Sequence, residues 1–170
     1  MLVEPRGNAG TQLVIDRVTY SIKLQREFAA SPERVFQAWT RPEQVKCWWD
    51  PAGEPLEACE IDLRPGGSFK FVMKHRPEMP FTGTYREIVP GQRLVFDALG
   101  ALGRVLLEQV AGKTHMLVEI ECRSEQHLDE YLKMGVDVGT SQTLNNLVAY
   151  MSTEVTRGES GARKPGIGPK

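Results

Sequence analysis

Ser31-Pro32-Glu33-Arg34-Val35-Phe36-Gln37-Ala38-Trp39 is followed, after Thr40, by Arg41-Pro42-Glu43-Gln44-Val45-Lys46-Cys47-Trp48-Trp49. Each half opens as a short helix opens. The Ser31 hydroxyl can accept a hydrogen bond from the free amides of a first turn, Pro32 suits the position just inside it, and Glu33 favours the positive end of the macrodipole. Pro42 and Glu43 repeat that logic. Three tryptophans within eleven residues, in a stretch too short to form a core alone, must lie against something larger. The flanking sequence supplies a sheet.

Before the two helices, Tyr20, Ile22, Leu24 and Phe28 alternate with Ser21, Lys23, Gln25 and Glu27, the period of a strand with one buried face. Arg26 falls on that apolar face. After them, the turn-rich Asp50-Pro51-Ala52-Gly53-Glu54-Pro55 leads into a predicted strand over Leu56–Leu63, and Arg64-Pro65-Gly66-Gly67 turns the chain. Ser68–His75 puts Phe69, Phe71, Met73 and His75 on one side, so His75 is expected inward or at the rim. Gly83–Val89 with Arg93–Ala98, and Arg104–Val110 with Lys113–Cys122, read as hairpins closed by Pro90-Gly91-Gln92 and Ala111-Gly112. The last strand gathers Met116, Val118, Ile120 and Cys122 on one face. Arg86 and Glu87 are expected on opposite faces, with only one looking inward.

From Ser124 or Glu125 to about Thr153 the period becomes helical, with Leu128, Leu132, Val136, Leu144, Leu147, Val148 and Met151 inward. Gly135 and Gly139 inside this stretch suggest close approach or a bend. The predicted fold class is therefore α+β: a curved antiparallel sheet of about six to seven strands wrapped around a long C-terminal helix, with two short helices after the first strand. A sheet and helix that diverge at one end leave a cavity, and the tryptophans lie where they can close its mouth. The expected domain spans 14–154, with 1–13 and 155–170 as tails lacking order.

The 170 residues carry a formal net charge of −1 and no dense Lys/Arg block, which argues against nucleic acid or anionic lipid as partner. No segment approaches a spanning helix of ~18 apolar residues, and Glu4, Arg6 and Asn8 interrupt any leader-like run, so a cytoplasmic location is expected. Cys47, Cys59 and Cys122 are widely spaced without Cys-x-x-Cys, the pattern of free buried thiols in a reducing compartment. No metal site and no cofactor are expected.

The ordered set Ser31–Glu43 with Trp48-Trp49, Asp62-Leu63-Arg64-Pro65-Gly66-Gly67, Gly83-Thr84-Tyr85-Arg86-Glu87-Ile88-Val89-Pro90-Gly91-Gln92-Arg93-Leu94-Val95-Phe96, and Met134-Gly135 through Leu144-Asn145-Asn146-Leu147 resembles the START-like (SRPBCC) helix-grip superfamily. Within it, the resemblance is to stand-alone domains similar to the C-terminal part of the heat-shock-chaperone ATPase activator (AHSA-type), over about 20–152. It implies the grip fold and a cavity but not one reaction, because the superfamily hosts lipid carriers, hormone receptors, cyclases and co-chaperones. Two departures stand out. Thr140 occupies a place where the family usually has tryptophan, which should enlarge or polarise the cavity, and Asp97-Ala98-Leu99-Gly100-Ala101-Leu102-Gly103 is short where relatives often carry a longer aromatic turn.

Candidate ligand-contact residues are Trp48 and Trp49 at the entrance, Phe71, Met73 and Met116 on inward strand positions, Arg26 and His75 as polar anchors, and Val136 and Thr140 on the helix. Ordinary packing is the competing reading for the apolar ones. Arg26, costly to bury unpaired, should meet Asp137 or Glu60, snorkel to the sheet edge, or hold a ligand carboxylate or phosphate. No catalytic residue is assigned. Gly-x-Ser-x-Gly and His-Glu-x-x-His are absent, and Leu107 stands where a phosphate loop ending in Gly112-Lys113-Thr114 would need glycine.

The reading that follows is binding of a small hydrophobic or amphipathic molecule in an internal cavity. Its rivals are a co-chaperone-like module acting on a chaperone ATPase, implied by the resemblance, and a cyclase- or hydrolase-type enzyme. Monomer and homodimer are both open, the apolar Leu99–Leu102 being one possible contact.

Overall fold

A computed structural model describes residues 3–6 and 11–166, and side chains over 11–153. Nine strands form one antiparallel sheet: β1 Val3–Arg6, β2 Gln12–Asp16, β3 Ser21–Phe28, β4 Ala58–Ile61, β5 Ser68–Met73, β6 Arg76–Val89, β7 Arg93–Ala98, β8 Ala101–Val110 and β9 Lys113–Glu121, in the order β1-β2-β3-β9-β8-β7-β6-β5-β4. Four helices, α1 Pro32–Thr40, α2 Pro42–Trp48, α3 Glu125–Lys133 and α4 Val136–Gly166, complete the fold, with α4 packing on the sheet as the grip requires. Among the described residues no helix is long and apolar enough to cross a membrane.

The count exceeds the six or seven strands expected because β1, inside the 1–13 segment read as a tail, and β2, which begins in that segment at Gln12 and runs to Asp16, add to the sheet edge. Leu13 and Ile15 of β2 face the core, paired with Leu24 and Ile22 of β3. At the other terminus α4 reaches Gly166, within the expected 155–170 tail, whose side chains and last residues lie outside the described ones.

The caps follow the sequence. Ser31 Oγ accepts from the Arg34 amide at 3.2 Å, and Ser124 Oγ accepts from the His127 amide at 3.1 Å while His127 Nδ1 accepts from the Arg123 amide at 3.1 Å. The single long C-terminal helix is instead two. Gly135 sits at φ 78°, the left-handed region open to glycine, and its amide donates to Leu132 O, so α3 stops and α4 restarts one residue later.

One apolar row crosses six strands in register: Leu13, Leu24, Val118, Val105, Leu94 and Ile88. A second runs Ile15, Ile22, Ile120, Gly103, Phe96, Tyr85. Period-2 alternation thus puts a continuous greasy surface under α4. One local irregularity overturns an expectation. A bulge between Tyr85 and Glu87 inserts Arg86 as an extra residue, so Arg86 and Glu87 are both exposed, pairing with Asp97 and Arg93 respectively. A bulge cancels strict alternation at that point.

Candidate functional site

The three tryptophans meet edge to face, with ring centroids 4.9 Å apart for Trp39 and Trp48, 5.8 Å for Trp48 and Trp49, and 6.4 Å for Trp39 and Trp49. Their environments differ sharply. Trp48 is fully buried and donates its indole N–H to Ala38 O at 3.0 Å, and Trp39 donates to Met116 Sδ at 3.3 Å. Trp49 is only half-buried, meeting Phe71 edge to face at 4.9 Å and lying tilted against Phe81 at 5.1 Å. The backbone after α2 is held from α4: Thr143 Oγ1 donates to Trp49 O at 3.1 Å and Asn146 Nδ2 to Asp50 O at 2.9 Å.

Beyond Trp49 the interior is hollow. A cavity of about 270 Å³ lies between the sheet and the first turns of α4, walled by Trp39, Trp49, Met73, Phe81, Phe96, Val118, Ile120, Val136 and Leu144. Its existence traces to small residues on both sides. The sheet contributes Ala98 and Ala101, and α4 contributes Gly139 and Thr140. A Cβ built on Gly139 would meet nothing within 4 Å, so this helix face looks onto open space. At Gly103 the space is already taken by the Phe96 ring, which would lie 2.6 Å from a Cβ there.

The rim is the tight turn joining β7 to β8. Leu99 and Gly100 both have positive φ, 53° and 80°, the conformation of a two-residue hairpin turn. The Tyr131 hydroxyl of α3 donates to Leu99 O at 2.6 Å and so ties this turn to the helix. Burial, then the neighbouring Cys122, push the Tyr131 phenol up to about 12. It is therefore a neutral donor at any ordinary pH. The polar groups at the wall are the hydroxyls of Tyr131, Thr140 and Thr143 and the Glu119 edge. The Glu119 carboxylate pairs with Arg104 and Lys23 at 3.5 and 3.8 Å.

Of the residues singled out from sequence, Trp49, Met73, Val136 and Thr140 line this cavity. Trp48 and Met116 are sealed in the core, and Phe71 belongs to the neighbouring aromatic cluster with Phe69, Phe81 and Tyr85. His75 is not on an inward strand face. β5 ends at Met73, and Lys74-His75 form the turn into β6, leaving the imidazole about half exposed with Nδ1 3.5 Å from Asp50 Oδ2. Arg26 does point inward, but onto α4. Its guanidinium donates to Asn145 Oδ1 at 2.8 Å and to Thr11 Oγ1. Burial lowers its pKa, and as an arginine it stays charged.

Sequence reading missed Phe81, Ala98, Ala101, Gly103 and Tyr131. Phe81 was hidden because β6 begins at Arg76, through Pro77 and Pro80, which argue against a central strand. This stretch of β6 has no partner in β7, whose pairing begins at Thr84, so the missing amides cost no ladder bonds on that side. The small residues could have been found only by asking where side-chain volume is lacking on both the sheet and the helix. The thiols were read as buried, yet Cys47 is exposed while Cys59 is half-buried and Cys122 buried.

No curated protein matches the chain. Among solved structures, a protein of Nitrosomonas europaea is 24% identical with a TM-score of 0.72, covering 80% of this chain and 96% of its own. A Mycobacterium smegmatis protein is 19% identical with a TM-score of 0.70, covering 90% of this chain and 99% of its own, and a Chromobacterium violaceum protein is 26% identical with a TM-score of 0.59, covering 76% and 95%. The first two likenesses establish the fold alone. Residues 29–152 match the family described as Activator of Hsp90 ATPase homolog 1-like protein. That match runs from the first helix cap through the cavity-lining turns of α4, well over half of the chain, and the protein belongs to this family.

Proposed function

We propose that the protein binds a small hydrophobic or amphipathic molecule in the cavity between the sheet and α4. The observation that carries this reading is the paired loss of volume at Gly139 and Thr140 on the helix and Ala98 and Ala101 on the sheet, which leaves about 270 Å³ of largely apolar space. Natural cores seldom leave such a void. The volume sits just below the ~300–1,000 Å³ typical of ligand pockets, which favours a compact aromatic or a short acyl chain over a sterol. Desolvation at roughly 25 cal/mol per Å² would drive binding, less the costs of ordering. The Thr140 and Tyr131 hydroxyls are the groups available to orient a polar end, a role the sequence reading gave to Arg26 and His75.

Native mass spectrometry against short and long fatty acids, sterols and polyketide-like aromatics tests this. A one-to-one adduct with the compact ligands is expected, together with its loss in Thr140→Trp, where the indole would occupy the cavity while circular dichroism stays unchanged. Failure of every class, or equal binding by that variant, would sink the proposal.

A second reading, a co-chaperone-like module that modulates a chaperone ATPase, is favoured by family membership. It predicts a rise in the chaperone's ATPase rate on adding the protein, and an unchanged rate removes it.

A further inference from the structure

Outside the cavity, the loop that follows α2 buries a carboxylate. Asp50 is 1% exposed, and its two carboxylate oxygens are treated very differently. Oδ1 accepts from the Ala52 amide at 2.9 Å, a local turn that fixes the side chain. Oδ2 has no hydrogen-bond partner. A buried carboxylate oxygen left without a donor is costly, so something of positive charge is expected against it. Facing it are His75, with Nδ1 at 3.5 Å, and Glu54, which the Asp50–Gly53 turn brings back toward the same point. One ligand atom from each of the three lies within 4.8 Å of the others, the only such trio of His, Cys, Asp or Glu among the described residues.

We propose that Asp50, Glu54 and His75 bind one divalent first-row transition-metal ion, with Zn2+ as the reference case. One imidazole nitrogen and two carboxylate oxygens are a donor set that suits zinc and its neighbours better than calcium or magnesium, which take oxygen alone. Around a tetrahedral zinc with bonds of about 2.0–2.2 Å, ligand atoms stand roughly 3.4 Å apart. The trio must therefore contract slightly. Asp50 is the fixed member, while Glu54 and His75 are exposed and can rotate inward without disturbing the core. Three protein ligands leave the fourth position open, as in zinc sites that also take water or an exogenous ligand.

The placement gives the ion a structural consequence. Asp50 stands between Trp49 and Pro51, both on the cavity wall, and His75 lies in the turn just after Met73, also on that wall. An ion there ties the loop after α2 to the β5–β6 turn across the mouth of the hollow. The sequence alone gave no hint, because Glu54 is four residues from Asp50 but His75 is far along the chain in a turn that looked like strand. The assignment stands apart from the cavity reading and survives if no organic ligand is found.

The full chain, freed of metal with EDTA and dialysed, is titrated with zinc chloride by calorimetry. One equivalent should bind saturably, and His75→Gln and Glu54→Gln should each weaken it by about 10–100-fold, the loss typical even of groups that only support a ligand. Both residues are exposed, so both variants should fold, and circular dichroism checks this. Cys47→Ser should leave the affinity unchanged. Crystals soaked in zinc should show one anomalous peak among the three side chains. Absence of saturable binding, equal affinity in His75→Gln, or binding lost only in Cys47→Ser would overturn the assignment and leave a simple histidine–aspartate contact.

Discussion

The concave sheet face has two unlike regions: one, around Phe69 on β5, β6 and β7, is solid, and the other, where α4 faces β7, β8 and β9, is hollow. At the solid end, Phe69 lies within 5.1–5.6 Å, centroid to centroid, of Phe71, Phe81, Tyr85 and Phe96, and Trp48 fills the space beneath α1 and α2. At the hollow end the walls carry Ala98 and Ala101 on the sheet and Gly139 and Thr140 on α4. Aromatic rings each bury ~150–250 Å² and interlock edge to face, so a cluster of them leaves no gap. The comparison teaches that in this fold side-chain volume, more than backbone path, decides between core and cavity.

Adjacent tryptophans provide the harshest test. Trp48→Ala should cost about 3–5 kcal/mol, because it removes a fully buried indole and strands the Ala38 carbonyl. Trp49→Ala should cost clearly less, since its ring already borders empty space. Urea unfolding monitored by far-ultraviolet circular dichroism measures both. Equal costs would mean that the hollow end is filled by rearrangement and that the contrast between the ends is illusory.

Glycines sharpen the same contrast at a smaller scale. A Cβ at Gly83 would sit 2.4 Å from the Asp97 carbonyl oxygen and 2.3 Å from the Phe69 ring, so Gly83→Ala forces backbone apart and should destabilise by about 1–3 kcal/mol. Gly139→Ala enters open space on a helix and should stabilise by up to about 1 kcal/mol through helix propensity. Opposite signs are expected in the same denaturation experiment. A destabilised Gly139→Ala would mean that the helix closes onto the sheet in solution.

The solid end was the more legible end. Period-2 alternation of Phe69 and Phe71 places them inward without further information, because burial of one face is what makes a strand alternate. Helix caps were readable for the same local reason. The hollow end was legible in part: a cavity that Thr140 would enlarge was expected, but Ala98 and Ala101 went unread, since an absence of volume leaves only small residues that also mean turns and propensity. The pair Arg86 and Glu87 was misplaced where alternation stops at a bulge, which no side-chain pattern marks, and His75, expected inward or at the rim, lies in a turn with its side chain half exposed. Arg26 was put on the correct face, but its partner Asn145 lies 119 positions away, a distance only the tertiary fold can close.

Tyr131→Phe asks how firmly the rim of the hollow end is held. The variant keeps the ring and loses only the hydroxyl that donates to Leu99 O, a bond worth about 0.5–1.5 kcal/mol. The measured loss should fall near the low end, because Leu99 itself is 60% exposed and water can replace the donor at its carbonyl. A loss at the high end would mean that the β7–β8 turn closes the cavity as a fixed wall.

Thiol reactivity then reads the two ends without any mutation. Burial pushes Cys59 and Cys122 up to about 11 each, so at pH 8 roughly one molecule in a thousand carries the reactive thiolate at either site. Burial pushes both thiols in the same direction, so the order of labelling follows chiefly from access. Cys47 is exposed and should react first, Cys59 is half-buried and should follow, and Cys122, buried beside Tyr131 at the hollow end, should be slowest. Mass spectrometry of a maleimide time course gives the order. If Cys122 overtakes Cys59, the hollow end opens more often than the static burial implies, because only an opening that exposes the end of β9 brings reagent to that sulfur.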